Sequence, residues 1–416
     1  MRTQCEPARV FLGILNIAVW LLANSTALGF VLRPGENGIT LETPSALYVT
    51  SADGRRTRAL QLGAAVPGGG TVSEIGVPAF LHDGSMIFAV QVRTDDKVEW
   101  RILRADTKQP NVIKIRPAMA TSAASSDCRP VLKTDLHIVT DEDGAFAFVA
   151  DRQGGGSALF RYASGRLTCE VRTGDRTAEG NVITSLGFGS AMMSQDATVV
   201  LQANLARDEA ASANRPTRNA IVLATRDVVP REIAVQGNRT HDGAVYGAHF
   251  GLPAISAVAG GDAIVAFTNQ TNRGTALFLG PTSGVVRTFS VGSMVDGRAI
   301  TYLSDGRPAL VSEGSVAMMA AARNRRLILV IRDGEPSVAA REGQMISSDN
   351  RLTGIGDPVA MGSAGISIEA MNQSGHNCLV FVPAEATSAK AESSAQEIFP
   401  SSTAIDHQGR IAFLVP

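Results

Sequence analysis

Aromatic residues, cysteine and excess charge of either sign are all scarce in this 416-residue chain. Aromatic residues make up 5% of it, and only two are tryptophan, so platforms for stacking sugar rings are few. The formal net charge of -1 argues against nucleic acid as a partner, because that binding needs clustered Lys and Arg side chains. No GxSxG, HExxH or CxxC motif is present. The sequence therefore assigns no catalytic residue, no metal ligand and no cofactor.

Long apolar runs are missing except near the N-terminus. There an apolar run at 10–22 follows two arginines and precedes the small residues Ser25 and Ala27. This order is typical of a signal peptide, and a run of about 13 residues is too short for a hydrocarbon core of roughly 30 Å. We expect cleavage of residues 1–27, a secreted, periplasmic or cell-surface protein, and no stable membrane span. A retained anchor is the alternative, and residues 28–45 would form an N-terminal extension.

Cysteine is nearly absent from the expected mature chain. Cys5 lies in the signal segment, which leaves Cys128, Cys169 and Cys378. A disulfide between Cys128 and Cys169 suits an exported protein, and three isolated thiols explain the pattern as well. The spacing matches no zinc site.

A short phrase, GxxAF, recurs along the chain with gradual decay. Its seven copies begin at Gly84, Gly144, Ala197, Ala263, Gly314, Gly365 and Gly409, with a mean spacing of about 54 residues. Between the copies lies a second unit of strand, tight Gly or Asp turn, and strand, as at 158–174 and 327–343. One period therefore holds two hairpins. Four-stranded repeats of this length favour a propeller over a solenoid.

The strand after each GxxAF turn is apolar on both sides. Met86, Phe88 and Val90 alternate with Ile87 and Ala89, for example. Such strands are buried on both faces, as they are when blades stack around an axis. The sequence predicts an all-β fold, namely a β-propeller of seven four-stranded blades over residues 46–416.

The two ends of the mature chain complement each other. The chain opens with the second hairpin of a unit at 46–62 and closes with the first hairpin of a unit at 403–415. An exposed sheet edge invites aggregation, and a last blade shared by both termini would remove it. The closing phrase "DHQGRIAFLV" is therefore predicted to complete the ring.

The DxxGxxAF phrase at 141–148 and 406–413, with "RTGD" at 172–175 and "REGQ" at 341–344, resembles a bacterial family. The family is that of the choice-of-anchor tandem repeat proteins, which are named for an NxxGxxAF motif. The similarity covers nearly the whole mature chain, and Asp replaces the family Asn in both copies. The resemblance implies an extracytoplasmic protein, with no established activity and no catalytic residue.

Two long links place polar side chains on one face of the predicted ring. Links between hairpins and between blades share one face, which we call the link face, whereas turns within hairpins lie on the other. The links 206–219 and 236–251 should form a contiguous binding surface there. Its candidate ligand-binding residues are Asp208, Glu209, Arg215, Arg218, His241, Asp242, Tyr246 and His249. The insertion 384–396 lies on the opposite face, and its composition predicts disorder.

Three local patterns could bind a ligand but also have simpler explanations. His241 and His249 could bind a metal or supply a general base, or belong to a solvated loop. "TDEDG" at 140–144 resembles part of a calcium loop, or forms an Asp-Gly hairpin turn. "RQGGGS" at 152–157 lacks the Lys and the helix of a phosphate-binding loop, which favours a simple connection.

The hypothesis that follows is a secreted, non-catalytic propeller that binds a protein or glycan of the cell envelope through its link face. The alternative is an extracytoplasmic enzyme of lyase or hydrolase type, with its site at the mouth of the central channel. A structural spacer is a third hypothesis.

Overall fold

The computed structural model describes residues 31–35, 38–42, 45–50, 56–81, 83–95, 97–107, 114–119, 128–132, 136–141, 143–207, 216–258, 261–312, 314–347, 350–360, 365–373, 377–383, 404–405 and 411–415. The predicted signal peptide and the insertion 384–396 lie outside them. The described residues form strands and turns and contain no α-helix. In this part of the chain, accordingly, no helix is long and apolar enough to cross a bilayer.

The strands are short and follow one another along the whole described chain. The first twelve are β1 (Val31–Gly35), β2 (Gly38–Glu42), β3 (Ala46–Thr50), β4 (Arg56–Gln61), β5 (Thr71–Ile75), β6 (Ala79–Phe80), β7 (Met86–Arg93), β8 (Val98–Asp106), β9 (Lys114–Pro117), β10 (Pro130–Val131), β11 (Val139–Thr140) and β12 (Phe146–Arg152). The next twelve are β13 (Ser157–Ala163), β14 (Arg166–Arg172), β15 (Val182–Leu186), β16 (Met192–Met193), β17 (Val199–Ala206), β18 (Arg218–Ala224), β19 (Arg231–Val235), β20 (Ala254–Ser256), β21 (Ile264–Thr271), β22 (Gly274–Pro281), β23 (Val286–Ser290) and β24 (Met294–Val295). The last twelve are β25 (Arg298–Ala299), β26 (Tyr302–Leu303), β27 (Ala309–Ser312), β28 (Ser315–Ala322), β29 (Arg325–Arg332), β30 (Glu335–Arg341), β31 (Met345–Ser347), β32 (Asn350–Ala360), β33 (Gly365–Asn372), β34 (Asn377–Pro383), β35 (Ala404–Ile405) and β36 (Ile411–Val415).

The described strands form seven antiparallel sheets of four or five strands, besides the two-stranded ribbons β1–β2 and β24–β25. We number the sheets along the chain. Sheet I contains β35, β36, β3 and β4; sheet II, β5 to β9; sheet III, β10 to β14; sheet IV, β15 to β19; sheet V, β20 to β23; sheet VI, β26 to β30; and sheet VII, β31 to β34. The innermost strands β35, β6, β11, β16, β20, β27 and β32 contact one another in that order. The predicted all-β propeller fold is therefore confirmed.

Sheet I joins the two ends of the chain. Strand β36 pairs with β3 over its whole length, from Ala46 opposite Val415 to Thr50 opposite Ile411. The prediction that the closing phrase completes a sheet with the first hairpin is confirmed. This pairing covers an edge of β3 that would otherwise expose its backbone hydrogen-bonding groups.

The GxxAF copies occupy the same place in every sheet. Their large residue lies in the second strand and faces a fixed position of the third. The pairs are Phe88 with Leu103, Phe148 with Phe160, Leu201 with Val222, Phe267 with Phe278, Met318 with Leu329, Glu369 with Leu379 and Phe413 with Tyr48. Phe88, Phe148 and Phe267 are completely buried, as the repeat predicts.

The hydrophobic core is divided among the junctions between sheets. Six clusters of buried side chains each combine two consecutive sheets, from the junction of I with II to that of VI with VII. Both faces of the inner strands are thereby buried, which explains why their sequences do not alternate between apolar and polar residues. The sheets consequently depend on their neighbours for stability.

A glycine turn begins most links from one sheet to the next. The amide of Gly63, Gly174, Gly237 or Gly343 donates to a carbonyl nine residues later, at 2.7 to 2.9 Å. Each of these glycines has a φ between 77° and 99°, a range that side chains with a β-carbon rarely adopt. The repeated turn fixes where each link leaves the outer strand and returns to the channel.

Candidate functional site

The innermost strand of several sheets is interrupted by the same short motif, Gly-x-Pro. The motif occurs there at 76–78, 251–253, 306–308 and 356–358, and we call these four stretches the axial segments. A fifth copy, at 334–336, lies at the turn between β29 and β30 and is not one of them. Proline cannot donate to a strand neighbour, so it suits an edge strand, and it limits pairing there. The middle residues Val77, Leu252, Arg307 and Asp357 are more exposed than the prolines after them. The axial segments thus present one side chain per sheet to the channel.

Arg307 extends from its own sheet across to two others. Its Nη2 donates to the carbonyls of Gly189, Ser190 and Ala191 of sheet IV at 3.1 to 3.3 Å. Its Nη1 donates to the carbonyl of Pro253, at the start of sheet V. Burial lowers the pKa of the guanidinium to about 10, so it stays protonated at neutral pH. A single cation therefore joins three sheets at the axis.

His137 lies beside this cation, in the inner part of sheet III. Burial lowers its pKa to about 4, and the positive charge of Arg307 adds to the decrease. A hydrogen bond with the backbone of Ala191, whose carbonyl also accepts from Arg307, acts in the opposite direction. The imidazole is therefore neutral near pH 7, where one ring nitrogen donates and the other can accept a hydrogen bond.

A second polar cluster lies where β26 leaves the link face. Tyr302, Ser304, Asp305 and Asp357 interact electrostatically. The surrounding protein raises the pKa of the Asp357 carboxyl, and the charge of Asp305 raises it further. A hydrogen bond with Ser304 and the charge of Arg326 act in the opposite direction. Asp357 nevertheless has exposed surface, as expected for a group that faces a wet channel.

Gly306 allows this cluster to form. A β-carbon on residue 306 would lie 2.0 Å from Oδ2 of Asp357, closer than any real contact. The absence of a side chain at 306 therefore gives the Asp357 carboxylate its position against sheet VI.

The link 236–251 reaches the same cluster through its last residues. His249 Nε2 lies 3.2 Å from Oδ2 of Asp305, and both side chains are about 60% exposed or more. The Tyr302 ring is 45% exposed. We call the set formed by His249, Tyr302, Ser304, Asp305 and Asp357 the channel mouth.

Two other predicted residues of the link 236–251, Asp242 and Tyr246, contact sheet V. Asp242 accepts from Thr240 and forms ion pairs with Arg287 and Arg273. The bond from Thr240 and these cations lower the pKa of Asp242. Tyr246 is buried among the rings of Phe250, Phe267 and Phe278, and burial raises its pKa to about 12. These two side chains hold the link to sheet V.

The remaining predicted residues are less closely connected to the mouth. His241 is exposed at the tip of the link, and Arg218 donates to Oδ1 of Asn181 at 3.0 Å. Asp208, Glu209 and Arg215 lie outside the described residues. Of the five candidates that the structure describes, His249 is the one that lies in the channel mouth.

The structure bears on two alternatives that the sequence leaves open. Cys128 and Cys169 form a disulfide, which ties the link into sheet III to strand β14. Asp141 accepts from the amide of Ala145 at 2.8 Å, as in an ordinary hairpin turn. Within the described ranges, no group of three or more His, Cys, Asp or Glu side chains could hold a metal ion.

Sequence reasoning missed Arg307, His137, Tyr302, Asp305 and Asp357. A search for motifs of known enzymes cannot find them, because they come from three sheets. The recurrence of Gly-x-Pro near the start of four of the seven units was the available signal. Within those four axial segments, Arg307 and Asp357 are the charged middle residues.

No protein-family model and no curated protein matches the chain. Among solved structures, it is similar to a puromycin-hydrolysing peptidase of Mycobacterium tuberculosis, with a TM-score of 0.48 and 11% identity, over 80% of this chain and 49% of that one. It is also similar to an acylaminoacyl peptidase of Pyrococcus horikoshii, with a TM-score of 0.46 and 8% identity, over 80% and 48%. A putative TolB from Agrobacterium tumefaciens has a TM-score of 0.34 and 9% identity, over 72% and 90%. The chain spans about half the length of the two peptidases.

Proposed function

We propose that the protein is an exported, non-catalytic β-propeller that binds a glycan of the cell envelope at the channel mouth. Export and an envelope location follow from the signal-peptide pattern and from the resemblance to the choice-of-anchor repeat proteins. The propeller supplies a rigid frame, and the binding groups come from the link face, where connections between strands meet.

The observation that carries the proposal is the composition of the channel mouth. The half-exposed ring of Tyr302 lies beside the exposed His249–Asp305 pair. An aromatic face with hydrogen-bonding groups at its edge suits a sugar, which has one apolar ring face and many hydroxyls. A protein partner would be better served by a larger apolar centre. A glycan therefore fits the exposed groups better than a protein does.

The test compares glycan binding by the full chain and by point variants, on an array of bacterial envelope oligosaccharides. Tyr302→Ala and His249→Ala should each weaken binding by about tenfold or more, because each removes a direct contact. His241→Ala is the matched control, since His241 is an exposed histidine of the same link outside the mouth. Equal losses from His241→Ala and His249→Ala, or no loss from Tyr302→Ala, would contradict the proposed site.

An enzyme of lyase or hydrolase type is the second candidate, favoured by the neighbouring carboxylates of Asp305 and Asp357. A carboxyl with a raised pKa retains its proton to higher pH, which suits a general acid. Release of new chain ends from a bound oligosaccharide, abolished by Asp357→Asn while binding persists, would favour the enzyme over the binding protein.

A further inference from the structure

A basic cleft lies on the link face of sheet VI, beside the channel mouth. It is formed by the ribbon β24–β25, the turn between β28 and β29, and the end of β30. The cleft is shallow, with about 20 Å³ of room for a water-sized group. Its apolar lining comes from Val295, Ala322, Leu327 and Val338. Its charged lining comes from Arg298, Arg325, Arg326, Arg341, Asp296 and Glu342.

Three of the four guanidinium groups in this cleft have no partner among the residues that the structure describes. No hydrogen bond or ion pair joins the guanidinium groups of Arg298, Arg325 and Arg341 to any described residue. All three side chains are exposed. The Arg325 guanidinium lies over Gly343, where a β-carbon would come within 3.3 Å of its Nη1. Exposed guanidinium groups that line one cleft offer several charge-assisted hydrogen-bond donors to a single anion.

The acidic residues of the cleft do not neutralise it. Four arginines but only two carboxylates line the cleft, although the whole chain has a net charge of -1. Glu342 Oε2 accepts from the backbone amide of Arg326 at 2.9 Å, so part of its hydrogen-bonding capacity is used by the main chain. The surplus positive charge is thus local to this cleft.

The composition of the cleft indicates which anion it fits. Arginine presents a planar fork that matches the two oxygens of a carboxylate or sulfate, whereas a lysine cluster would offer only point charges. Of the apolar lining, Val295, Ala322 and Leu327 are buried and Val338 is only partly exposed, so the arginines supply most of the surface that an anion meets.

We propose that this cleft binds the carboxylate or sulfate groups of an acidic polysaccharide. The polysaccharide assignment rests on the proposed glycan-binding function, whereas the oxyanion site stands on the arginines alone. Arg326 connects the two sites, because it lines the cleft and its charge also acts on Asp357 of the channel mouth. One glycan chain could therefore contact the mouth with its hydroxyls and the cleft with its acidic groups.

The test measures binding of an oligogalacturonate and of a sulfated oligosaccharide by calorimetry, with a neutral oligosaccharide of equal length as reference. The triple variant Arg298→Ala/Arg325→Ala/Arg341→Ala should weaken binding of at least one acidic oligomer by about tenfold or more. The preferred oligomer distinguishes carboxylate from sulfate. Arg166→Ala is the control, because Arg166 is an exposed arginine in a hairpin turn on the opposite face.

The variant Arg298→Lys/Arg325→Lys/Arg341→Lys separates recognition from simple attraction. It keeps the charge and loses the fork, so it should recover less than half of the lost affinity. Full recovery, or equal loss from Arg166→Ala, would overturn the site. Equally tight binding of a single-stranded DNA of the same charge would overturn the polysaccharide assignment. Acidic binding that survives Tyr302→Ala would support the cleft while contradicting the channel mouth.

Discussion

Two regions recur among the sheets but vary in opposite ways: the second strands of all seven sheets, and the axial segments of sheets II, V, VI and VII. In the second strands, the large residue of GxxAF and its partner keep one register in all seven sheets. In the axial segments, the Gly-x-Pro frame repeats while its middle residue changes from Val77 and Leu252 to Arg307 and Asp357. The repeated residue pairs thus build the scaffold, whereas the candidate site uses a position at which the repeat varies.

Deletion of 403–416 should have the largest effect on the scaffold. It removes β35 and β36, so sheet I loses half of its strands and β3 exposes a full edge. We expect aggregation or an expanded chain, because both faces of a blade must be covered and an open edge pairs with other molecules. Size-exclusion chromatography with light scattering measures this. An unchanged hydrodynamic radius and melting temperature would show that the ring does not need its closing strand.

Phe148→Ala should be the most costly single substitution in a second strand. The ring is fully buried and stacks on Phe160 with centroids 5.4 Å apart, so its removal leaves a cavity between sheets II and III. The expected loss is on the order of 3–5 kcal/mol of unfolding free energy. Denaturant unfolding measures it.

The control is Glu369→Ala at the equivalent place in sheet VII. Glu369 is only partly buried, so its replacement should cost about 1 kcal/mol or less. Equal costs at the two positions would mean that the shared register does not reflect a shared packing role.

The scaffold could be predicted from the sequence because short-range rules act on every repeat. Glycine turns, apolar alternation and a 54-residue period all indicate one four-stranded unit, and the complementary ends indicate closure. Glu170 is a residue whose position these local patterns predict wrongly. Alternation along β14 would expose it, but a bulge opposite Leu159 and Phe160 turns it inward, where it pairs with Arg161 at 2.6 Å.

The channel mouth could not be predicted in the same way, because its residues meet only after the ring has formed. His249 and Asp305 are 56 residues apart, and Arg307 contacts carbonyls more than 110 residues away. The long links led to one member of the channel mouth, since His249 belongs to the link 236–251. Their polar composition did not show that Asp242 and Tyr246 would be used for packing the link against sheet V.

Gly306→Ala tests whether the glycine of this Gly-x-Pro motif is needed to position Asp357. The new β-carbon would meet the Asp357 carboxylate at 2.0 Å, so Asp357 must turn away. We expect a loss of about 1–3 kcal/mol, near the lower limit because the carboxylate can rotate. The pair Gly306→Ala/Asp357→Ala should recover most of the loss, and thermal unfolding measures both.

Gly284→Ala is the matched control for this clash. A β-carbon there would have no atom within 4 Å, and the backbone is not in the left-handed region. Its stability should change by no more than about 0.5 kcal/mol. A loss equal to that of Gly306→Ala would indicate that glycine flexibility, and not the contact with Asp357, explains both results.

His137→Gln should have the smallest effect, and the effect should depend on pH. The folded protein holds the His137 pKa at about 4, whereas an unfolded histidine titrates near 6.5. Between these values the unfolded chain binds a proton that the folded chain does not, so the stability of the wild type decreases as the pH falls from 6.5 to 4. The variant lacks this contribution. The stability difference between the two proteins should therefore change by about 1–2 kcal/mol across the window, allowing for the water that reaches the ring.

Asp357 and Glu170, whose pKa values are raised, titrate in both proteins, so their contributions cancel in the comparison. Denaturant unfolding at several pH values measures the difference, and NMR of the labelled imidazole locates the pKa directly. A His137 that titrates near 6.5 in the folded protein would mean that neither its burial nor the charge of Arg307 acts on the imidazole.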